Sequence, residues 1–199
     1  MDERAEALLA FWLGPLDADG LATPEHQARW FAVDPAFDDE LRRRFGALHE
    51  EARAGRRDRW AETPRGRLAL VILLDQLSRN LHRGRADAFS ADAHALALAR
   101  GGVARGEDRD LALCERVFLY LPLDHAEDLA AQELSVERFR ALAAEAPERA
   151  RALFDEFLDY AVRHQDVIAR FGRFPHRNPA LGRASTPEEL AFVEREGGF

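Results

Sequence analysis

The chain has 199 residues, 47% of them hydrophobic and 32% charged, enough apolar material for the core of one domain spanning 1–199. A formal net charge of -8 and a pI near 5.4 argue against a general nucleic-acid binder, which needs a basic face. A single cysteine, Cys114, excludes an intrachain disulfide and fits a reducing cytoplasm, and the longest apolar run, Leu68 to Leu74, is too short to span a bilayer.

The predicted elements are helices throughout. Residues 3–13 form an amphipathic helix stopped by Gly14-Pro15, and a second short helix starts at Pro24. Asp34-Pro35 is a strong start, with Asp as cap and Pro in the first position, and the helix runs to about Ala54 with Phe37, Leu41, Phe45 and Leu48 on one face. Thr63-Pro64 starts a helix over 64–82 that is apolar nearly all round from Leu68 to Leu77, as a buried central helix must be. Ser90 caps a helix over 91–100 that ends at Gly101-Gly102; another covers 108–121 up to Pro122; a third runs from an Asp124 cap to about Ala144. The last long helix, 147–171, puts Phe154, Phe157, Ala161, His164, Ile168 and Phe171 on one face, and Thr186-Pro187 opens a final short helix. Alternating strand patterns are absent and β-branched residues scarce, so the expected fold is all-α, eight or nine antiparallel helices with short loops. Helix pairs recur near the spacing of about 34 residues seen in helical-hairpin repeats.

Five stretches, WFAVDPAFDDELRRRF (Trp30–Phe45), LALVILLDQLSRNLHRG (Leu68–Gly84), AFSADAHALALA (Ala88–Ala99), LPLDHAEDLAAQE (Leu121–Glu133) and HQDVIARFGRFPHRNPALGRASTPEE, carry a resemblance to the DUF924 family over nearly the whole chain. The resemblance implies a TPR-like α-helical fold, a bacterial origin and no established activity. Leu77-Ser78 and Ala126 depart from the family pattern, where Phe-Pro and a Ser are usual.

The candidate chemistry lies in two places. Asp75 and Arg79 are spaced i, i+4 on the central helix, as are Gln76 and Asn80, and a lone charge there is costly, so these groups must pair or line a cavity. The stretch from His164 to Thr186 holds Arg170, Arg173, His176, Arg177, Asn178 and Arg183 between Gly172, Pro175, Pro179 and Gly182. Gly172 is expected to end the helix in a left-handed turn, with Phe171 and Phe174 as anchors and the prolines stiffening the loop. Every basic residue is Arg, so each cationic contact has planar, bidentate geometry suited to a carboxylate or phosphate. The bland reading is a staple, in which these arginines bond orphan helix carbonyls or pair with Asp75, Glu127 and Asp166.

His125 and Glu127, at the expected start of a helix, and His164 and Asp166 are the candidate base and carboxylate residues, although acids in a first turn favour the helix dipole and a His on an apolar face is more often part of the core. Asp166 and Arg170 are also a simple i, i+4 helix pair. No HExxH, paired ExxH, GxSxG or Gly-rich phosphate loop is present, so neither metal nor cofactor is expected, and Cys114 in an apolar helix is inert.

Three functions follow. The first is a binding module whose Arg79, Asn80, Arg170, Arg173, His176, Arg177 and Asn178 hold a small anionic ligand or a peptide or protein carboxylate, with neither nucleic acid nor membrane as partner. The second is a hydrolase-like enzyme using a His/carboxylate pair in the same pocket. The third is a purely structural scaffold. Internal pairing of every guanidinium would favour the third.

Overall fold

In a computed structural model, which describes residues 2–197, four helices begin at a proline behind a capping side chain. The Thr23 hydroxyl accepts from the His26 amide, Asp34 from Ala36 and Phe37, Thr63 from Gly66, and Thr186 from Glu189. In each case the cap satisfies an orphan amide and the proline gives up a donor that has no intrahelical partner.

The helices are α1 (Glu3–Leu13), α2 (Pro24–Trp30) and α3 (Pro35–Arg53), followed by α4, which starts as Pro64–Val71 and continues as Ile72–Leu77 and Ser78–Leu81. Then come α5 (Asp92–Ala104), α6 (Leu113–Asp124), α7 (Leu129–Glu145), α8 (Arg151–Phe171) and α9 (Pro187–Glu196). Among the described residues there is no strand, only an isolated bridge between Leu16 and Ala22. The fold is therefore all-α.

Helix α4 is the axis of the core. Every residue from Leu68 to Leu74 is completely buried, and α1, α3, α5 and α6 pack around it. Its middle, Ile72–Leu77, is a π-helix, which the sequence did not announce. Such a turn inserts one extra residue and recurs at functional sites; here it carries Asp75 and Gln76. Helices α7 and α8 pack along one another as a hairpin beside α6. A smaller cluster, Val167, Ile168, Phe174 and Phe192, seats the C-terminal segment, with Phe171 half-buried against it.

Several boundaries differ from those expected: the helix expected from 108 starts as α6 only at Leu113, after a 3-10 turn over Glu107–Asp110, and the one expected from 147 starts as α8 at Arg151. Helix α5 passes through Gly101-Gly102 to Ala104, because Gly102 serves packing rather than termination: a Cβ there would lie 2.9 Å from Cδ of buried Arg67. Ser90 does not cap that helix; its hydroxyl donates to the Asp87 carbonyl at 2.9 Å. Pro122 lies inside α6, where it gives up only its own amide bond, and the last turn closes through the His125 amide to the Leu121 carbonyl at 2.9 Å. Consequently Asp124 ends α6 instead of starting a helix, and Asp128 caps α7.

Candidate functional site

The π turn of α4, the C-terminus of α6, the start of α5, the middle of α8 and the segment after α8 meet in one polar cluster. At its centre is Asp75, 1% exposed. Its Oδ1 accepts from His125 Nδ1 at 2.7 Å and pairs with the Arg79 guanidinium at 2.9 Å, while Oδ2 accepts from Gln76 Nε2 at 2.6 Å. The expected Asp75–Arg79 clamp is present, within a larger network. Arg79 also forms two bonds to the Asp92 carboxylate, at 3.1 and 3.2 Å. Burial opposes charge on Asp75, but Arg79 and His125 outweigh it and hold the carboxyl ionised, well below the ordinary range.

An ionised carboxylate only accepts, so His125 Nδ1 carries the proton and Nε2 keeps its lone pair. Burial first, and Arg79 second, push the His125 imidazolium down, so the ring is neutral. It is not on an exposed first turn, as expected, but on the loop after α6 with its side chain 16% exposed. Its carboxylate partner is Asp75 and not Glu127. Glu127 instead accepts from the Phe174 amide and the Arg183 guanidinium, each at 2.9 Å. Burial works against that charge, but Arg183 and the amide keep Glu127 below the usual range.

His164 is a core histidine, as the apolar face implied. Its Nδ1 donates to the Tyr160 carbonyl at 2.8 Å, and its ring centre lies 6.2 Å from that of His125. Burial, reinforced by the neighbouring His125, pushes it down to about 3. Beside it is Asp124, 2% exposed, whose Oδ1 accepts from Ser135 at 3.0 Å. Burial pushes this carboxyl up to about 7.

Arg177 closes the cluster. It is 5% exposed, with its guanidinium over the rings of Phe89 at 4.7 Å and Phe174 at 4.4 Å. It bonds Asp92 at 3.3 Å, sharing that carboxylate with Arg79, and its Nε is buried with no hydrogen-bond partner. Burial and the nearby Arg79 push it down to about 10. His176, next to it, is pushed down to about 4 by burial and then by Arg177.

The remaining predicted residues lie elsewhere. Arg173 forms a fork to Glu189 at 2.6 and 2.9 Å, Asn178 donates to Ser185 at 3.0 Å, and Arg170 pairs with Glu188 at 2.6 Å. These three residues fasten α9 to the end of α8. Asp166 is on the exposed side of α8, so the expected i, i+4 pair with Arg170 is replaced by Arg170–Glu188. Asn80 faces α3, donating to Asp38 at 2.7 Å.

No sequence signal marks Asp92, Asp124, Ser135 or Phe89 as part of the cluster; Asp124 reads only as a helix cap. Asp92 and Phe89 do fall in the AFSADAHALALA stretch, but a first-turn acid reads as a helix-dipole residue until its tertiary partners are known. Cys114 is buried, its thiol pushed up to about 11 by burial. A groove of about 620 Å³, lined by Leu16, Gln27, Arg149 and Leu153 among others, opens at the α1–α2 loop and shares no residue with the cluster.

Fold and cluster together define an all-helical protein whose central helix carries a buried, charge-rich polar centre. The chain belongs to the DUF924 family, described as bacterial proteins of unknown function, whose sequence model matches residues 8–197. It is similar in structure to ATU0120 from Agrobacterium tumefaciens, also a protein of unknown function, with a TM-score of 0.78 and 36% identity over 96% of this chain and 97% of that one. No curated protein matches it. No helix among the described residues is long and apolar enough to cross a membrane.

Proposed function

We propose that the protein is a cytoplasmic binding module, one TPR-like array of helical hairpins, that holds a small anion such as a phosphate or a carboxylate at Arg177. The observation that carries this reading is the incomplete pairing of that guanidinium. Arg177 is buried, shares one carboxylate with Arg79 and leaves Nε without a partner. Burial and Arg79 both oppose its charge, so an anion would relieve a cost already present in the fold. The neutral rings of His125 and His176 and the π faces of Phe89 and Phe174 surround it without adding charge. The site is narrower than the sequence suggested, since Arg170, Arg173, Asn178 and Asn80 serve helix docking.

Thermal melting against phosphate, sulfate, small carboxylates and C-terminal peptides tests this. A ligand of the folded state at 100 times its Kd stabilises by about 2.7 kcal/mol. The expected result is a concentration-dependent rise in Tm with one small anion, abolished in Arg177→Gln and kept in Arg173→Ala. No shift across the panel leaves the structural scaffold as the function.

A second reading rests on Asp75–His125. A buried carboxylate that fixes the tautomer of a neutral histidine is the arrangement of an oriented general base, which points to a hydrolase-like enzyme. Under that reading His125→Gln keeps anion binding and loses turnover; a variant that loses neither restricts His125 to structure.

A further inference from the structure

On the α3 side of α4 lies a second histidine cluster, separate from the site above. His49 on α3 is completely buried, and its Nε2 is 3.0 Å from the Ser78 hydroxyl. That hydroxyl has one hydrogen, and it donates it to the Leu74 carbonyl at 2.6 Å. Ser78 can then only accept from the ring, so His49 Nε2 carries the proton and Nδ1 keeps the lone pair. Full burial disfavours a second proton on this ring. Yet Nδ1 has no hydrogen-bond partner and faces Glu50 Oε1 at 3.3 Å. Two acceptors thus point at one another, the imidazole buried and the carboxylate open to solvent. His82, just past the end of α4, adds a third: its Nε2 is buried with no hydrogen-bond partner, and its ring centre is 5.6 Å from that of His49. One ligand atom from each of the three residues lies within 4.8 Å of the others.

Of these lone pairs only those of the Glu50 carboxylate have a donor, Arg53, and their convergence suits a cation. We infer that His49 Nδ1, His82 and the Glu50 carboxylate bind a divalent transition-metal ion of the zinc class, with one coordination position left to solvent. Two imidazoles and a carboxylate suit such an ion, and Zn–N bonds of about 2.0–2.1 Å place tetrahedral ligand atoms about 3.3 Å apart. His49 and Glu50 already stand at that separation, and a ligand atom of His82 lies within 4.8 Å of both. Ser78 is the outer-shell acceptor that fixes the His49 tautomer, the usual companion of a metal-bound histidine. Exposed Glu50 marks the route of entry. Arg53 opposes the ion, bonding Glu50 at 3.2 Å, but it also bonds Ser90 at 3.0 Å and has Asp87 at 3.7 Å, so it can release Glu50 without losing all its partners. No metal spacing was visible in the sequence because the two histidines come from different helices.

The test is titration of the tag-free, chelator-stripped full-length chain with Zn²⁺ by calorimetry, and with Co²⁺ by visible absorption. The expected result is one ion per chain, with a cobalt spectrum of low coordination number that Zn²⁺ displaces. Ser78→Ala weakens binding about 10–100-fold. His82→Ala and Glu50→Gln, at positions open enough to tolerate the change, weaken it further while melting as cooperatively as the parent chain. Absence of a saturable site in the parent chain overturns the inference. So does unchanged Zn²⁺ affinity in His82→Ala and Glu50→Gln, which would place the ion on another histidine.

Discussion

Gly172 turns the chain from α8 toward the polar segment with φ 68° and ψ 1°, and its amide bonds the Ile168 carbonyl at 2.8 Å. A side chain here would meet nothing within 4 Å, so the cost of adding one is purely conformational. Gly172→Ala is expected to lose roughly 1–2 kcal/mol, the penalty of a left-handed L-residue, and urea unfolding measures it directly. This turn was legible from local sequence alone, as were the buried place of His164 and the Asp75–Arg79 clamp, because each depends on neighbours within about one helical turn. Asp92 as a shared carboxylate and Asp124 as a buried acid were not legible. Their roles are set by side chains 11 or more positions away, Arg79 and Arg177 on Asp92 and Ser135 on Asp124, and no local spacing encodes such pairings.

Helix α9 shows how one surface element is held. Thr186 and Glu189 form a capping box, and the same Glu189 takes the Arg173 fork, which locks it low, at about 2. The core beneath α9 is small, essentially Phe192 on Phe171 and its neighbours. Arg173→Ala is expected to speed amide hydrogen exchange over 187–196 while α4 and α6 keep their protection, since α9 would open locally without the main core. Thr186→Ala costs about 1 kcal/mol on the same unit. Uniform acceleration across the chain would instead make α9 part of the global unfolding unit. The start of α9 was plain from Thr186-Pro187. Its anchor was not, because a forked donor in an Arg/His-rich segment suits a ligand as well as it suits a glutamate 16 residues on, and the sequence does not distinguish the two.

Across the whole molecule, buried ionisable groups set the acid response. His164 and His176 stay neutral in the fold down to about 3 and about 4, and an unfolded chain protonates them near ~6.5. The unfolded state therefore binds more protons below pH ~6.5, and each histidine removes about 1.4 kcal/mol of stability per pH unit as the pH falls toward its folded value. Asp124 acts the other way. Its carboxyl, at about 7 in the fold against an ordinary ~3.9, contributes stability that is fully present below the ordinary value and is lost as the pH rises through about 7. Two histidines outweigh one carboxyl, so the urea midpoint falls between pH 6.5 and 4.5, and it falls more steeply in Asp124→Asn. A flat profile would mean that these imidazoles are hydrated in the native state. The all-α class was evident in the sequence, since caps and 3.6-residue periodicity are local signals, whereas the π turn in α4 arises from packing on every side and leaves no such mark. The completely buried Cys114 gives the fold a clock of its own. Its sulfur accepts the Ala22 amide at 3.4 Å beneath the α1–α2 loop. Because it is the chain's one thiol, the rate at which a disulfide reagent consumes it counts the excursions in which that loop lifts from α6.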